Sequence, residues 1–121
     1  IDWPEYRRIC RRVWDHDGRS AHDAYREFTV EVTGVEHKIT EGISDFKTMD
    51  ELYYNQVGDA PVGEPLLVAK SKDTGKKEPQ AWTYLYGKGK IFQTLLGHSA
   101  ESLSVPEVQQ ILRNAAQWLG E

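Results

Sequence analysis

Hydrophobic and polar positions along this chain repeat with two periods, one typical of strands and the other of helices. Apolar and polar residues alternate over 28–33, which predicts a half-buried strand. Residues 80–86 and 90–96 are apolar on both sides, so we expect two covered strands there. A Gly-Lys-Gly turn between these two segments predicts that they form a hairpin. Shorter strands are predicted over 51–55 and 65–71.

A helix is predicted at the amino end, where Pro4 suits the first helical turn. Apolar residues at helical spacing continue this pattern as far as Trp14. Cys10 lies on the apolar face, which favours a buried packing role over that of a catalytic nucleophile. The other side carries four arginines and indicates a solvated face, the alternative being a site for a phosphate or an acidic partner. These arginines are Arg7, Arg8, Arg11 and Arg12.

The carboxyl end of the chain carries its clearest helical pattern. Ser104 and Glu107 match a capping box, which predicts the start of the helix, and Gly120 is a natural stop. The helix has one apolar face, which we expect to be buried. That face consists of Val105, Val108, Ile111, Leu112, Ala115, Trp118 and Leu119.

Composition and charge limit the classes of function that fit this chain. Its length of 121 residues suits one domain with an ordinary core. The formal net charge of −4 argues against nonspecific binding to nucleic acid, which needs a basic surface. No apolar run is long enough to span a bilayer, so neither nucleic acid nor a membrane is an expected partner. The single cysteine excludes an internal disulfide framework.

Five short motifs follow one another in a fixed order along the chain. They are His37-Lys-Ile-Thr40, Asp50-Glu-Leu-Tyr53, Pro79-Gln-Ala-Trp82, Gly87-Lys-Gly-Lys-Ile-Phe92 and Leu96-Gly-His98. In this order they resemble the pattern of the trehalose-utilisation (ThuA-like) family, and the resemblance spans residues 3–119. Lys38 and Lys90 stand where that family usually has a proline and an arginine.

The resemblance implies an α/β fold, specifically a partial class I glutamine-amidotransferase-like (flavodoxin-like) fold. Such a fold has three layers, here with a mixed sheet and flanking helices. ThuA-like domains are considerably longer than this chain, and their first strands have no counterpart in it. We therefore expect residues 1–121 to form a single ThuA-like domain that lacks its N-terminal half. The alternative is a self-sufficient small α/β unit.

His98 is the strongest candidate for chemistry, because it follows a predicted strand and a glycine. Ligands of open α/β sheets gather at the carboxyl ends of the strands, and an imidazole there can transfer a proton near neutral pH. Glu51 and Tyr53 alternate along a predicted strand, so both side chains can point at one ligand. With the resemblance, we expect His98 and Glu51 to be catalytic and Tyr53 to bind substrate. The alternatives are a histidine that caps a strand end, and a salt-bridged glutamate beside a half-buried tyrosine.

Two further histidines, His37 and His22, are expected to help to bind substrate. None of the candidate histidines has the short spacing of a typical metal motif, so no metal ion is expected. The alternative is a divalent metal such as zinc, held by His22, His37 and His98.

The function implied by the resemblance is carbohydrate catabolism, with a disaccharide such as trehalose or its 3-keto derivative as substrate. The expected partners are this small-molecule carbohydrate and either a second copy of the chain or a second chain that completes the fold. The rival hypothesis is a noncatalytic module that binds a sugar or a partner chain. Trp82, Tyr84 and Tyr86 alternate along one strand, where core packing under a helix is favoured over stacking on a sugar.

Overall fold

The computed structural model describes residues 3–121, which form seven strands and three α-helices. Helix α1 spans Pro4–Ile9, α2 spans Ala100–Leu103 and α3 spans Pro106–Gly120, and a 3₁₀ helix covers Lys38–Thr40. The strands are β1 (Ala21–His22), β2 (Arg26–Val32), β3 (Phe46–Asp50), β4 (Tyr53–Tyr54), β5 (Leu67–Lys70), β6 (Lys77–Tyr86) and β7 (Gly89–Thr94).

Five of the strands form one sheet in the order β3-β2-β5-β6-β7, and β1 pairs separately with β4. Every strand pair among residues 3–121 is antiparallel, so the predicted mixed sheet is wrong for this part of the chain. The physical reason for two of these pairs is the short turns between β5 and β6 and between β6 and β7, because strands joined by a short turn can pair only in antiparallel fashion. That hairpin and the strands predicted over 28–33 and 65–71 are confirmed.

The five-stranded sheet curls, which brings the carboxyl ends of its two edge strands together. Strand directions alternate across the sheet, so β3 and β7 run in the same direction although they do not pair. Asp50 ends β3, and its carboxylate accepts hydrogen bonds from the backbone N–H groups of Gly97 (2.8 Å) and His98 (3.3 Å), just beyond β7. This fully buried carboxylate therefore joins the two edges of the sheet.

The main apolar core lies between the sheet, the 3₁₀ helix and α3. From α3 it takes Val108, Ile111 and Ala115, as predicted. Leu112 and Leu119 were also expected in the core, but they remain 38% and 43% exposed. The buried face of α3 is therefore narrower than its apolar face. From the sheet and loops the core takes Phe28, Val30, Ile39, Phe46, Leu52, Leu66, Leu67, Ala69, Ala81 and Leu96.

The start of α3 differs from the predicted capping box. Val105 is the N-cap residue, and its side chain makes no capping hydrogen bond. Ser104 instead donates its hydroxyl hydrogen to the carbonyl of Ala100 (2.7 Å), because it ends the preceding short helix α2. Pro106 occupies the first helical turn, where its missing N–H costs nothing.

Helix α1 is shorter than its apolar pattern predicts, since it ends at Ile9 and Cys10 is already extended. Val13 pairs with Val57 through two backbone hydrogen bonds in an isolated bridge. Tertiary pairing has thus replaced the predicted last turns of the helix up to Trp14. No helix among residues 3–121 is long and apolar enough to cross a membrane.

Arg11 and Arg12 attach this segment to the loop over 57–62, which corrects the predicted solvated face for these two arginines, whereas Arg8 is exposed as predicted. Arg11 donates to the carbonyl of Pro61 (2.8 Å), and its guanidinium stacks over the Tyr84 ring at 4.1 Å. Arg12 donates to the carbonyl of Ala60 (2.8 Å). Surface ion pairs complete the set, from Arg7 to Asp59 (3.3 Å) and from Arg8 to Glu5 (3.2 Å).

A second apolar cluster combines Trp82, Tyr84 and Val62, and Ile91 and Leu95 pack against it. The predicted core packing is confirmed for Trp82 and Tyr84, whereas Tyr86 is exposed. The N-terminal segment, rather than a helix, covers these aromatic side chains. Arg11 donates its backbone N–H to the Tyr84 hydroxyl (3.2 Å).

Asp23 is a second buried carboxylate, and it links the end of β1 to the turn after β5. It accepts hydrogen bonds from the Ser71 hydroxyl (2.6 Å), the Lys72 backbone N–H (2.8 Å) and the Arg26 guanidinium (2.7 Å). Burial alone would raise the pKa of Asp23, but these hydrogen bonds outweigh it and lower the pKa to about 2. Asp23 is therefore charged in the folded state at neutral pH and stabilises it.

The substitution Asp23→Asn is expected to lower the free energy of unfolding at pH 7 by about 2 kcal/mol. Because the pKa of Asp23 is lowered on folding, its stabilisation is complete above the unfolded pKa of about 3.9 and is lost as the pH falls toward about 2. The measurement is urea unfolding of both proteins, followed by circular dichroism, from neutral pH down to about pH 2. Asp59→Asn, in an exposed ion pair, is the control. If the difference in free energy of unfolding between Asp23→Asn and the natural chain stayed constant over this pH range, the stabilising role of the Asp23 carboxylate would be contradicted.

Candidate active site

His98 lies in the loop that follows β7, and its backbone is fixed while its side chain is 44% exposed. The backbone N–H groups of Gly97 and His98 are held by Asp50. Gly97 has a φ of 122°, in the region that favours glycine, and a Cβ there would lie 3.0 Å from Cδ2 of Leu103. The backbone conformation at position 97 therefore requires glycine, and this conformation places His98.

Glu51 immediately follows Asp50 and directs its carboxylate at His98. Its Oε2 lies 3.1 Å from Nδ1 of His98 and accepts a 2.6 Å hydrogen bond from the Tyr53 hydroxyl. The Tyr53 hydroxyl oxygen is also 3.3 Å from Nδ1 of His98. These three side chains form one cluster, which we call the active-site cluster.

The hydrogen bonds of the active-site cluster assign the donor to Tyr53 and the acceptor to Glu51. Burial and the hydrogen bond to Glu51 raise the pKa of Tyr53 well above its usual value, so Tyr53 stays protonated and donates to Glu51. The Nδ1 of His98 then faces two oxygen atoms that can accept its hydrogen. The neutral imidazole with hydrogen on Nδ1 keeps a lone pair on Nε2, which is the arrangement of a general base.

His22 and Trp14 form a wall beside the cluster. His22 pairs with Tyr53 across β1 and β4, and their ring centroids are 5.3 Å apart. Its Nδ1 donates to the carbonyl of Asp23 (2.7 Å) and lies 3.7 Å from Oε1 of Glu51. The Trp14 ring lies edge-on to Tyr53, with centroids 6.0 Å apart.

His37 is the one predicted site residue that the structure does not bring to the cluster. Its Nδ1 accepts the backbone N–H of Ile39 (3.1 Å), so it caps the 3₁₀ helix. Its ring packs edge-on against Trp118 with centroids 4.8 Å apart, and burial lowers the pKa of His37. The cluster therefore lends the predicted substrate-binding role of His37 no support, and that role stays a prediction.

The zinc alternative gains no support from the geometry either. Within residues 3–121, no three His, Cys, Asp or Glu side chains are arranged to hold a metal ion. The His37 ring accepts a hydrogen bond from Ile39 and packs against Trp118, away from the other two histidines. His22, His37 and His98 therefore do not form a ligand set.

The family is decided by a comparison with family models. The model of the ThuA family, described as trehalose utilisation, matches residues 2–119. The chain belongs to the ThuA family. No curated protein matches the sequence.

Among solved structures, the fold is similar to that of a ThuA-like protein from Parabacteroides merdae. The TM-score is 0.81, and the sequences are 24% identical over 97% of this chain. This chain spans 55% of that protein, so the similarity concerns a part of a longer ThuA-like chain. The α/β fold is thus common to both ThuA-like proteins.

The sequence analysis gave no role to two residues that lie at the cluster. Asp50 was named only as the first residue of a motif, whereas it holds the His98 loop. Tyr25 was not singled out, yet its ring lies 5.9 Å from that of His98 and its hydroxyl donates to Glu101 (2.9 Å). Only the Asp-Glu-Leu-Tyr motif pointed to Asp50, and no local pattern pointed to Tyr25.

The substitution Asp50→Asn is expected to lower the free energy of unfolding by about 1–3 kcal/mol, because the amide group cannot accept from all of the N–H donors around it. It should also speed amide hydrogen exchange at Gly97 and His98, which lose their acceptor. Both effects are measurable, by urea unfolding and by native-state exchange. Asp45→Asn is the matched control, since Asp45 accepts a backbone N–H from Val32 at an exposed position. Unchanged exchange at Gly97 and His98 would reject this role of Asp50.

Proposed function

We propose that this ThuA-family chain acts in carbohydrate catabolism on a disaccharide such as trehalose, or on its 3-keto derivative. The observation that carries the proposal is the active-site cluster, in which Glu51 faces Nδ1 of a half-exposed histidine at 3.1 Å. The family description as trehalose utilisation supports the substrate class. The finer classification as a class I glutamine-amidotransferase-like fold stays a prediction.

In this proposal His98 and Glu51 act together as the proton-transfer unit. Glu51 accepts the Nδ1–H of His98, which orients the ring and stabilises the imidazolium that forms when Nε2 takes a proton. Tyr53 donates to the same Glu51 oxygen and so fixes the carboxylate. His22 and Tyr53 lie beside the pair, where their rings and polar atoms can contact the substrate.

A 3-keto glycoside gives such a unit a suitable reaction. The C2–H bond is acidic because C2 neighbours the carbonyl carbon, so Nε2 of His98 takes that proton and the electron pair forms an enolate. The enolate re-forms the carbonyl as a C1–C2 double bond develops and the bond from C1 to the glycosidic oxygen breaks. The imidazolium returns its proton to the departing oxygen, so the reaction is an elimination that consumes no cofactor.

The substitution His98→Ala is expected to lower kcat for 3-keto-trehalose by about 10²–10⁴-fold, the usual contribution of general acid–base catalysis. Glu51→Gln keeps an acceptor for Tyr53 but removes the charge that stabilises the imidazolium, so a loss in kcat is expected there as well. Turnover is followed by chromatography of the released sugar. His16→Ala, in an exposed turn, is the control. Full turnover by His98→Ala would contradict the proposed catalytic role of His98.

The second candidate is a noncatalytic binding module, or a subunit that a second chain completes. The observation that favours it is that this chain spans 55% of the similar Parabacteroides merdae protein. This candidate predicts that the purified chain forms a homo-oligomer or captures a second polypeptide, and that it binds trehalose without turnover. Size-exclusion chromatography with light scattering, together with the chromatographic assay, measures both. A monomer that turns over 3-keto-trehalose would exclude it.

A further inference from the structure

Tyr25 lies on the turn from β1 to β2, and both its backbone and its hydroxyl are anchored. Two residues before it, the buried Asp23 carboxylate accepts a hydrogen bond from Arg26, the residue directly after Tyr25 (2.7 Å). At the other end of the side chain, the Tyr25 hydroxyl donates to Oε2 of Glu101 (2.9 Å) and lies 2.9 Å from Oγ of Ser99. The ring of Tyr25 is therefore held between two fixed points, although the residue is 38% exposed.

The acceptors of the Tyr25 hydroxyl belong to the same chain segment as His98. Ser99 follows His98 directly and is the N-cap residue of α2, where its Oγ accepts the backbone N–H of Ser102 (3.2 Å). Ser102 is buried, and its hydroxyl donates to the carbonyl of Met49 in β3. The hydrogen bonds of Tyr25 thus attach its ring to the segment that carries the imidazole.

The Tyr25 ring lies beside the imidazole of His98. Their centroids are 5.9 Å apart and the ring planes are inclined at 53°, within the range in which two aromatic rings attract each other. Within residues 3–121, the polar side-chain contacts of the imidazole all involve Nδ1, which faces Glu51 and Tyr53. A ring held at one atom can still rotate about its side-chain torsions. Contact with Tyr25 at a second place restricts that rotation.

We propose that Tyr25 is a positioning residue for His98, holding the imidazole in the orientation in which Nδ1 faces Glu51. In that orientation the carboxylate accepts the Nδ1–H, and Nε2 is the nitrogen that carries the lone pair. An imidazole that loses this contact visits other orientations, in which Glu51 no longer selects the Nδ1–H tautomer. The consequence for catalysis rests on the proposed function, because a misplaced base transfers a proton more slowly. The orientation of the ring does not depend on turnover.

The test is ¹H–¹⁵N correlation NMR of the imidazole side chains of the ¹⁵N-labelled full chain. At about pH 8.5, where an ordinary imidazole is neutral, it measures the ratio of Nδ1–H to Nε2–H tautomer. The signals of His98 are identified by their loss in His98→Ala. We expect the ratio at His98 to fall about two- to tenfold in Tyr25→Leu, the change in an equilibrium that the loss of one aromatic pair produces.

Two further variants separate the anchor from the ring. Tyr25→Phe keeps the ring but loses both hydrogen bonds of the hydroxyl, and Glu101→Ala removes one acceptor without changing Tyr25. Both should lower the ratio in the same direction as Tyr25→Leu and by a smaller factor. Tyr86→Leu is the matched control, since Tyr86 is 39% exposed and lies at the β6–β7 hairpin. Circular dichroism confirms that each variant is folded.

An unchanged ratio in Tyr25→Leu, or an equal change in Tyr86→Leu, would overturn the proposal. With 3-keto-trehalose as substrate, Tyr25→Leu should lower kcat and leave KM nearly unchanged. A raised KM with an unchanged kcat would also overturn the proposal, because it would make Tyr25 a substrate contact. If the natural chain turned over no 3-keto-trehalose, the proposed function would fail, while the tautomer ratio would still decide whether Tyr25 positions His98.

Discussion

The carboxylate of Asp50 joins the two edges of the curled sheet. It accepts hydrogen bonds from the backbone N–H of Glu51, at the end of β3, and from those of Gly97 and His98, beyond the end of β7. The strands concerned are the first and last in the sheet order, so no backbone ladder connects them. The buried carboxylate supplies that connection through three charge-assisted hydrogen bonds, which are stronger than those between neutral groups. Removing them would free the loop that carries His98 and separate it from Glu51.

This constraint explains how the site combines a rigid backbone with an accessible ring. The loop is fixed by Asp50 and by the left-handed conformation of Gly97, yet the His98 side chain is exposed enough to meet a ligand. The backbone of Glu51 is positioned together with Asp50, which it follows directly in the chain. The hydroxyl of Tyr53, whose pKa is raised, donates to Glu51 and keeps its carboxylate in place, which is the preorganisation that the proposed proton transfer requires.

Local patterns predicted the elements whose structure depends on neighbours in sequence, and they failed where distant segments decide. The β6–β7 hairpin and α3 were predictable, because a glycine turn and a helical apolar face specify them within a few residues. The end of α1 was not predictable, since Val13 leaves the helix to pair with Val57. For the site, the sequence led to His22, Glu51, Tyr53 and His98, which do meet. His37 lies apart from them, because its ring packs against Trp118, on a helix at the far end of the chain.

In the proposed function, the exposed side of the cluster is where a substrate can approach His98. The His98 side chain is 44% exposed, whereas that of Glu51 is 17% exposed, so the imidazole rather than the carboxylate is open to a ligand. Tyr53 lies 3.3 Å from Nδ1 of His98 and also lines a cavity of about 250 Å³. A part of the substrate that binds beside Tyr53 is therefore close to His98, and the binding energy gained there is available to position the reacting carbon.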